Sequence, residues 1–178
     1  KTIVVKFKLQ DTNNCYLLVW TTTPWTLVSN VGCALNPKAT YVEVESEGQC
    51  LIMVKDLVDS IWGQEDNYRI TREFKGAELV GKKYEPVYDY APSGSNAYRV
   101  ISGDFVSTKE GTGLVHIAPA FGEDDMNVGL KNQLPIVQMV DESGRFKPEV
   151  DLFAGMGIEE SNKAIIADLK SRHLLFSF

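Results

Sequence analysis

Two short segments of this chain concentrate residues that could grip a polar ligand. In Trp20-Thr21-Thr22-Thr23-Pro24-Trp25-Thr26-Leu27, hydroxyls, backbone donors and flat aromatic faces fall within eight residues. Proline cannot continue a central strand and holds the threonine before it extended, so the run reads as a strand end that becomes a rigid, ligand-facing corner. The second segment, Gly111-Thr112-Gly113-Leu114-Val115-His116-Ile117-Ala118-Pro119-Ala120-Phe121-Gly122-Glu123-Asp124-Asp125, sets a histidine in an apolar strand ahead of a carboxylate pair. Each group also has a plainer reading. Asp124 or Asp125 could charge the first turn of a helix. His116 could be a hydrogen-bonded core residue, the threonines a β-branched strand end, and Trp20 and Trp25 core aromatics. The chain carries no GxSxG elbow, P-loop, HExxH, or GxGxxG opening a helix, so the expected chemistry uses neither a covalent nucleophile nor a metal. From residue types and spacing alone, the reading stops at a ligand-binding barrel with a candidate cleft.

The elements that would position these residues follow from patterning. Ile3, Val5, Phe7 and Leu9 alternate with Lys6, Lys8 and Gln10, which predicts a half-buried first strand. Asp11 to Asn14 reads as a turn, and Tyr16 to Trp20 as the strand that runs into the threonine corner. Further strands are expected at Val31 to Leu35, Tyr41 to Val44, Cys50 to Val54, Tyr68 to Phe74, Ala97 to Ile101, around Val106, and at Leu114 to Ile117. A short helix is expected from Lys55 or Asp56 to Trp62, capped by Asp56 and stopped by Gly63. Others should start at Asp124 or Asp125 and run to about Asn132, and cover Glu159 to Arg172 with Ile158, Ile165, Ile166 and Leu169 as the apolar stripe. Pro86 to Gly94 is a turn-rich connection. Many short strands with few helices predict an α+β, mainly β, barrel-like domain, closed or nearly closed, with peripheral helices.

Composition bounds the rest. The 178 residues fit a single domain over 1–178. Lys1-Thr2-Ile3 does not open a signal peptide and no apolar run approaches a membrane span, so the expected setting is cytoplasmic, with no membrane partner. The chain has no initiator methionine and reads as a domain excised from a larger protein. Cys15, Cys33 and Cys50 form no CxxC pair, which argues against zinc or a disulfide framework. A net charge of −6 disfavours broad gripping of nucleic acid through its phosphates, though a short single-stranded end held by stacking and hydrogen bonds stays open.

Both segments, as quoted above, resemble the two signature stretches of the editing domain of isoleucyl-tRNA synthetase, the insertion within the class I catalytic domain. The resemblance spans the chain, including Asp151-Leu152-Phe153-Ala154-Gly155 and the helix after it. Valyl and leucyl relatives typically carry Thr-Thr-Arg-Pro where Thr21-Thr22-Thr23-Pro24 stands, and another residue at His116, so Thr23, Trp25 and His116 favour the isoleucyl type. The resemblance implies proofreading hydrolysis of valine from the 3′-terminal adenosine of isoleucine-accepting tRNA, with valyl-adenylate as a further candidate substrate, in concert with the remainder of the parent synthetase. It implies that Asp125 holds the substrate ammonium, that His116 limits side-chain size, and that Thr21, Thr22 and Thr23 contact the adenosine and the ester. Trp25 would pack beneath the corner or against the adenosine, with Trp20 structural and Asp124 left to the helix start. No cofactor is implied for this domain. ATP belongs to the catalytic domain of the parent, whose HIGH-type and KMSKS-type signatures this chain lacks.

Overall fold

A computed structural model describes residues 2–177; Lys1 and Phe178 lie outside them. The first hairpin joins β1 (Ile3–Lys8) to β2 (Cys15–Thr21), antiparallel, with Ile3 opposite Thr21 and Lys8 opposite Tyr16. Asp11 makes the turn at φ 64, a left-handed conformation that Asp tolerates. The remaining strands are β3 (Gly32–Leu35), β4 (Thr40–Ser46), β5 (Gln49–Val54), β6 (Tyr68–Lys75), β7 (Arg99–Ser102), β8 (Leu114–Ile117) and β9 (Leu175–Ser177). Their order is β6-β4-β5-β2-β8-β3-β7, with β1 branching from β2 and β9 pairing with β1.

That branching positions the site. A strand has two edges, and β1 occupies one edge of β2 along its length. β5 and β8 must therefore follow one another along the other: β5 pairs at Cys15 to Leu17, then β8 pairs at Trp20 opposite Val115. The fork curls the mixed sheet into a half-barrel rather than a closed one. It also sets the threonine corner at the end of β2 directly beside the strand that carries His116.

Three α-helices accompany the sheet among the described residues: α1 (Val58–Trp62), α2 (Glu123–Lys131) and α3 (Ile158–Ser171). The sheet buries both faces. Ile3, Val5, Phe7, Leu17, Val19, Leu114 and Tyr84 fill the concave side, while Val4, Leu18, Val42, Val44 and Met53 pack on the convex side with Val58 and Trp62 of α1. Each such large apolar side chain contributes roughly 1.5–3 kcal/mol by leaving water. β1 is accordingly buried from Ile3 to Phe7 rather than half-buried, because α1 covers the face on which alternation had put solvent.

Other expectations are corrected in the same way. Asp56 does not cap a helix: residues Lys55–Leu57 form a 3-10 turn, α1 begins at Val58 without a side-chain cap, and Gly63 ends it at φ 57. Val106 is buried in a loop, not a strand. α2 starts at Glu123, one residue before the expected Asp124. Along α3, Ile165 and Leu169 are buried with Ser161, whereas Ile158 and Ile166 are only half-buried.

Gly113 marks where the second signature segment passes closest to the core. Its φ is +82, and an added Cβ would stand 2.5 Å from Val54 Cβ. Its carbonyl also accepts a 2.6 Å hydrogen bond from Tyr41. Gly113→Ala should therefore cost about 3 kcal/mol, combining backbone strain with overpacking, read as a lowered denaturation midpoint with an unchanged slope.

Candidate active site

The corner departs from simple strand-end geometry. After Thr21, the chain turns at Pro24 into a 3-10 helix over Pro24–Ser29. Proline at the first turn loses no hydrogen bond and fixes the entry angle. The Thr23 backbone N–H donates to Thr21 Oγ1 at 3.1 Å, and the Thr26 N–H to the Thr23 carbonyl at 3.0 Å. The Trp25 N–H donates to Asn162 Oδ1 of α3 at 2.9 Å, which clamps the corner to that helix from outside.

Inside, a chain of hydrogen bonds crosses from the barrel core to the corner. Tyr84 Oη donates to Asn30 Oδ1 at 2.6 Å, and Asn30 Nδ2 donates to the Gly32 carbonyl at 2.9 Å. Asn30 Nδ2 also lies 3.2 Å from His116 Nδ1. An amide nitrogen only donates, so Nδ1 must accept and the ring proton sits on Nε2. Nε2–H then donates to Thr26 Oγ1 at 2.7 Å. Thr26 Oγ1 in turn donates to the Thr23 carbonyl at 2.8 Å and lies 2.8 Å from the Thr23 hydroxyl. His116 is thus neutral, with both nitrogens engaged.

Burial pushes the His116 pKa down to about 4 from 6.5. The sign of the linkage is fixed by that direction. A depressed folded value means the protonated ring is disfavoured in the native state, so the contribution to stability is complete above 6.5 and is lost as pH falls toward about 4. Unfolding free energies should fall across that window by about 3 kcal/mol more in wild type than in His116→Gln, as denaturant titrations would read.

Where the ends of β2 and β8 meet the start of α2 lies a cavity of about 450 Å3 whose wall includes Thr21, Thr22, Thr23, His116 and Asp125. Thr21 is buried, Thr22 exposed and Thr23 half-buried. Asp125 sits in the first turn of α2 and its Oδ2 accepts from the Ala118 backbone N–H at 2.9 Å. Burial raises its carboxyl above the ordinary range, the Ala118 bond opposes that rise, and the neighbouring Asp124 adds to it. A half-buried carboxylate held in this way favours a cation arriving beside it.

Five of the six residues singled out from sequence therefore share one wall. Trp25 does not. Its ring packs edge-on against Phe121 with centroids 4.8 Å apart, and Phe121 lines the cavity in its place. Trp20, read as structural, lines the cavity, as do Phe105 and Asp124. Sequence reasoning also passed over Thr26, which lies inside the first segment, and Asn30 and Tyr84, which no local pattern connects. Among the described residues, no three His, Cys, Asp or Glu side chains gather as a metal set.

Comparison with known proteins decides the ancestry. The chain is 42% identical to the isoleucine–tRNA ligase of Clostridium novyi over 98% of its own length and 17% of that relative. It is 41% identical to the corresponding ligase of Saccharolobus solfataricus, over 98% of this chain and 18% of that one. The chain is homologous to a segment of isoleucine–tRNA ligases. It spans under a fifth of the length of these curated relatives. No model of a known protein family matches it.

Among solved structures, the chain superposes on a crystal structure described as GlLeuRS-CP1, with TM-score 0.79 and 13% identity over 100% of this chain and 98% of that one. It also matches the Plasmodium falciparum cytosolic leucyl-tRNA synthetase editing domain, with TM-score 0.71 and 10% identity over 98% of each chain. At these identities the likeness is one of fold: the expected α+β, mainly β domain has the architecture of a synthetase editing domain. No helix among the described residues is long and apolar enough to cross a membrane.

Proposed function

We infer that this chain hydrolyses the ester linking a misplaced amino acid to tRNA, with valine on isoleucine-accepting tRNA as its substrate. The observation that carries the reading is the convergence of Asp125, the threonine corner and His116 on one cavity. Ancestry supplies the need. A pocket built for isoleucine excludes valine by only about 1–3 kcal/mol, and the isoleucyl enzyme is itself the standard worked example of that limit. A second site must then admit valine, reject isoleucine by size, and cut the ester.

Asp125 anchors the ammonium group through a charge-assisted hydrogen bond, which orients the ester carbonyl relative to the corner. His116, neutral and immobilised by Asn30 and Thr26, presents a fixed wall to the amino-acid side chain. The Thr22 hydroxyl and the corner's hydroxyl and backbone groups hold the terminal adenosine and a water, and stabilise charge developing on the carbonyl oxygen. The attack gains chiefly from positioning, with the free ribose hydroxyl of the substrate near the reacting atoms. The partners are accordingly the tRNA 3′ end and the remainder of the parent synthetase. The same pocket would also accept valyl-adenylate, whose amino-acid and adenosine parts are alike.

The test is deacylation by the isolated chain of tRNA charged with valine, against tRNA charged with isoleucine. Release of valine with isoleucine spared is the expected result. Equal release of both would refute the size sieve, and release of neither, with tRNA shown to bind, would leave a module that only binds.

A further inference from the structure

The concave rim of the half-barrel carries a thiol pair that the proposed hydrolysis does not use. Cys15 opens β2, and Cys50 lies opposite it in register on the parallel strand β5. Directly paired residues share one face of a sheet. Neighbouring strands run roughly 4.7–4.9 Å apart, inside the range of about 4.4–6.8 Å that a disulfide spans between α-carbons. Both thiols are half-buried, and the proximity of each shifts the pKa of the other. Glu43, on the neighbouring strand, accepts from Arg72 at 3.3 Å. Cys15 faces a cavity of about 510 Å3 that Arg72, Lys82 and Lys83 also line.

The pair is chemically unequal. The neighbouring Cys50 thiol holds the Cys15 thiol below the ordinary range, against burial and the charge of Glu43. Cys50 is pushed up, first by the neighbouring Cys15, then by burial and by Glu43. The thiolate, not the thiol, is the nucleophile. Cys33, the third cysteine, is fully buried in the core and its thiol is pushed up by burial, which makes it a bystander.

We propose that Cys15 and Cys50 form a peroxide-reactive site that closes to an intramolecular disulfide, with Cys15 the attacking sulfur and Cys50 the resolving one. The Cys15 thiolate attacks one oxygen of a hydroperoxide. A sulfur–oxygen bond forms, the oxygen–oxygen bond breaks, and the departing hydroxide takes a proton to become water. The Cys50 sulfur then attacks the Cys15 sulfenic acid. The sulfur–sulfur bond forms, the sulfur–oxygen bond breaks, and the Cys50 proton leaves with that oxygen as a second water. Two thiols lose two electrons and one hydrogen peroxide gains them. Asn14 holds the two strands together beside the pair, its carbonyl accepting from the Cys50 N–H at 3.0 Å and its Nδ2 donating to the Gly48 carbonyl at 2.6 Å, and a half-exposed bridge of this kind stays reducible by small thiols.

The test uses the chain as it stands, treated with hydrogen peroxide, alkylated before digestion, and mapped by mass spectrometry. A linked peptide joining Cys15 to Cys50 should appear, with Cys33 still reduced and the link reversed by dithiothreitol. In Cys50→Ser the reaction should stop at a Cys15 sulfenic acid that dimedone traps. In Cys15→Ser the remaining Cys50 should lose most of its reactivity. Both thiols still free after peroxide, bridges only between separate chains, or Cys50 reacting in Cys15→Ser as fast as Cys15 does in Cys50→Ser would each overturn the proposal.

Discussion

Asp125→Ala abolishes release of valine, by at least about 100-fold in the deacylation rate, because the ammonium loses its anchor and the ester its orientation. The effect is argued from a geometry that already carries a cost. The carboxyl is raised by burial and by Asp124, and only the Ala118 N–H opposes that rise. A raised folded value means that the native state favours the neutral acid. Its contribution to stability is present below the unfolded value of 3.8 and is lost as pH rises through the folded value. Asparagine keeps an oxygen for Ala118 and carries no charge. Asp125→Asn should therefore match or exceed the wild-type Tm, with a margin that widens as pH rises from 3.8 toward neutrality. The expected pair of results is a dead hydrolase that is no less stable, which is the mark of a group kept for its ligand. Unimpaired hydrolysis by Asp125→Ala would remove Asp125 from the site, and a clearly lower Tm for Asp125→Asn at neutral pH would make it a fold residue.

How far the sequence carried depends on the range of the interaction. The strands of β2, β4, β5 and β8 were readable because each is a short alternating or apolar run bounded by turn residues. Burial of β1 on both faces was not, since it depends on α1 arriving from fifty residues downstream to cover Val4 and Leu18. The same limit applies at the site. Thr21, Thr22, Thr23, His116 and Asp125 stood out because hydroxyls, a histidine and a carboxylate pair were crowded into two short segments. The exchange of Trp25 for Trp20 follows from one backbone event: Pro24 starts a 3-10 helix that swings Trp25 out against Phe121, while Trp20, still in the strand, keeps its ring on the cavity. Asn30 and Tyr84 stand 54 residues apart, and each alone reads as an ordinary loop or core residue. Only the fold makes them the far end of a hydrogen-bond chain that terminates at Thr23.

His116 has two separable jobs in this arrangement, and two substitutions divide them. His116→Ala removes the imidazole from the cavity wall, opening far more room than the single methylene that distinguishes isoleucine from valine. The isoleucyl ester should then be hydrolysed within about tenfold of the valyl rate, since one methylene in an apolar pocket is worth only a few kcal/mol at most. The same change strips Thr26 and Asn30 of a buried partner, costing roughly 2–4 kcal/mol of stability, so rates are compared well below the unfolding transition. Thr26→Val preserves shape and leaves the imidazole in the wall, but it cuts the link from Nε2 to the Thr23 hydroxyl and carbonyl. Valyl hydrolysis should fall by about 10–100-fold through lost positioning of the corner, with isoleucine still spared. A wall residue and a positioning residue thus leave opposite signatures, one in the ratio of the two esters and the other in the valyl rate alone. If Thr26→Val relaxed the discrimination while His116→Ala preserved it, the size limit would belong to the threonine corner, and the histidine would serve only to hold that corner in place.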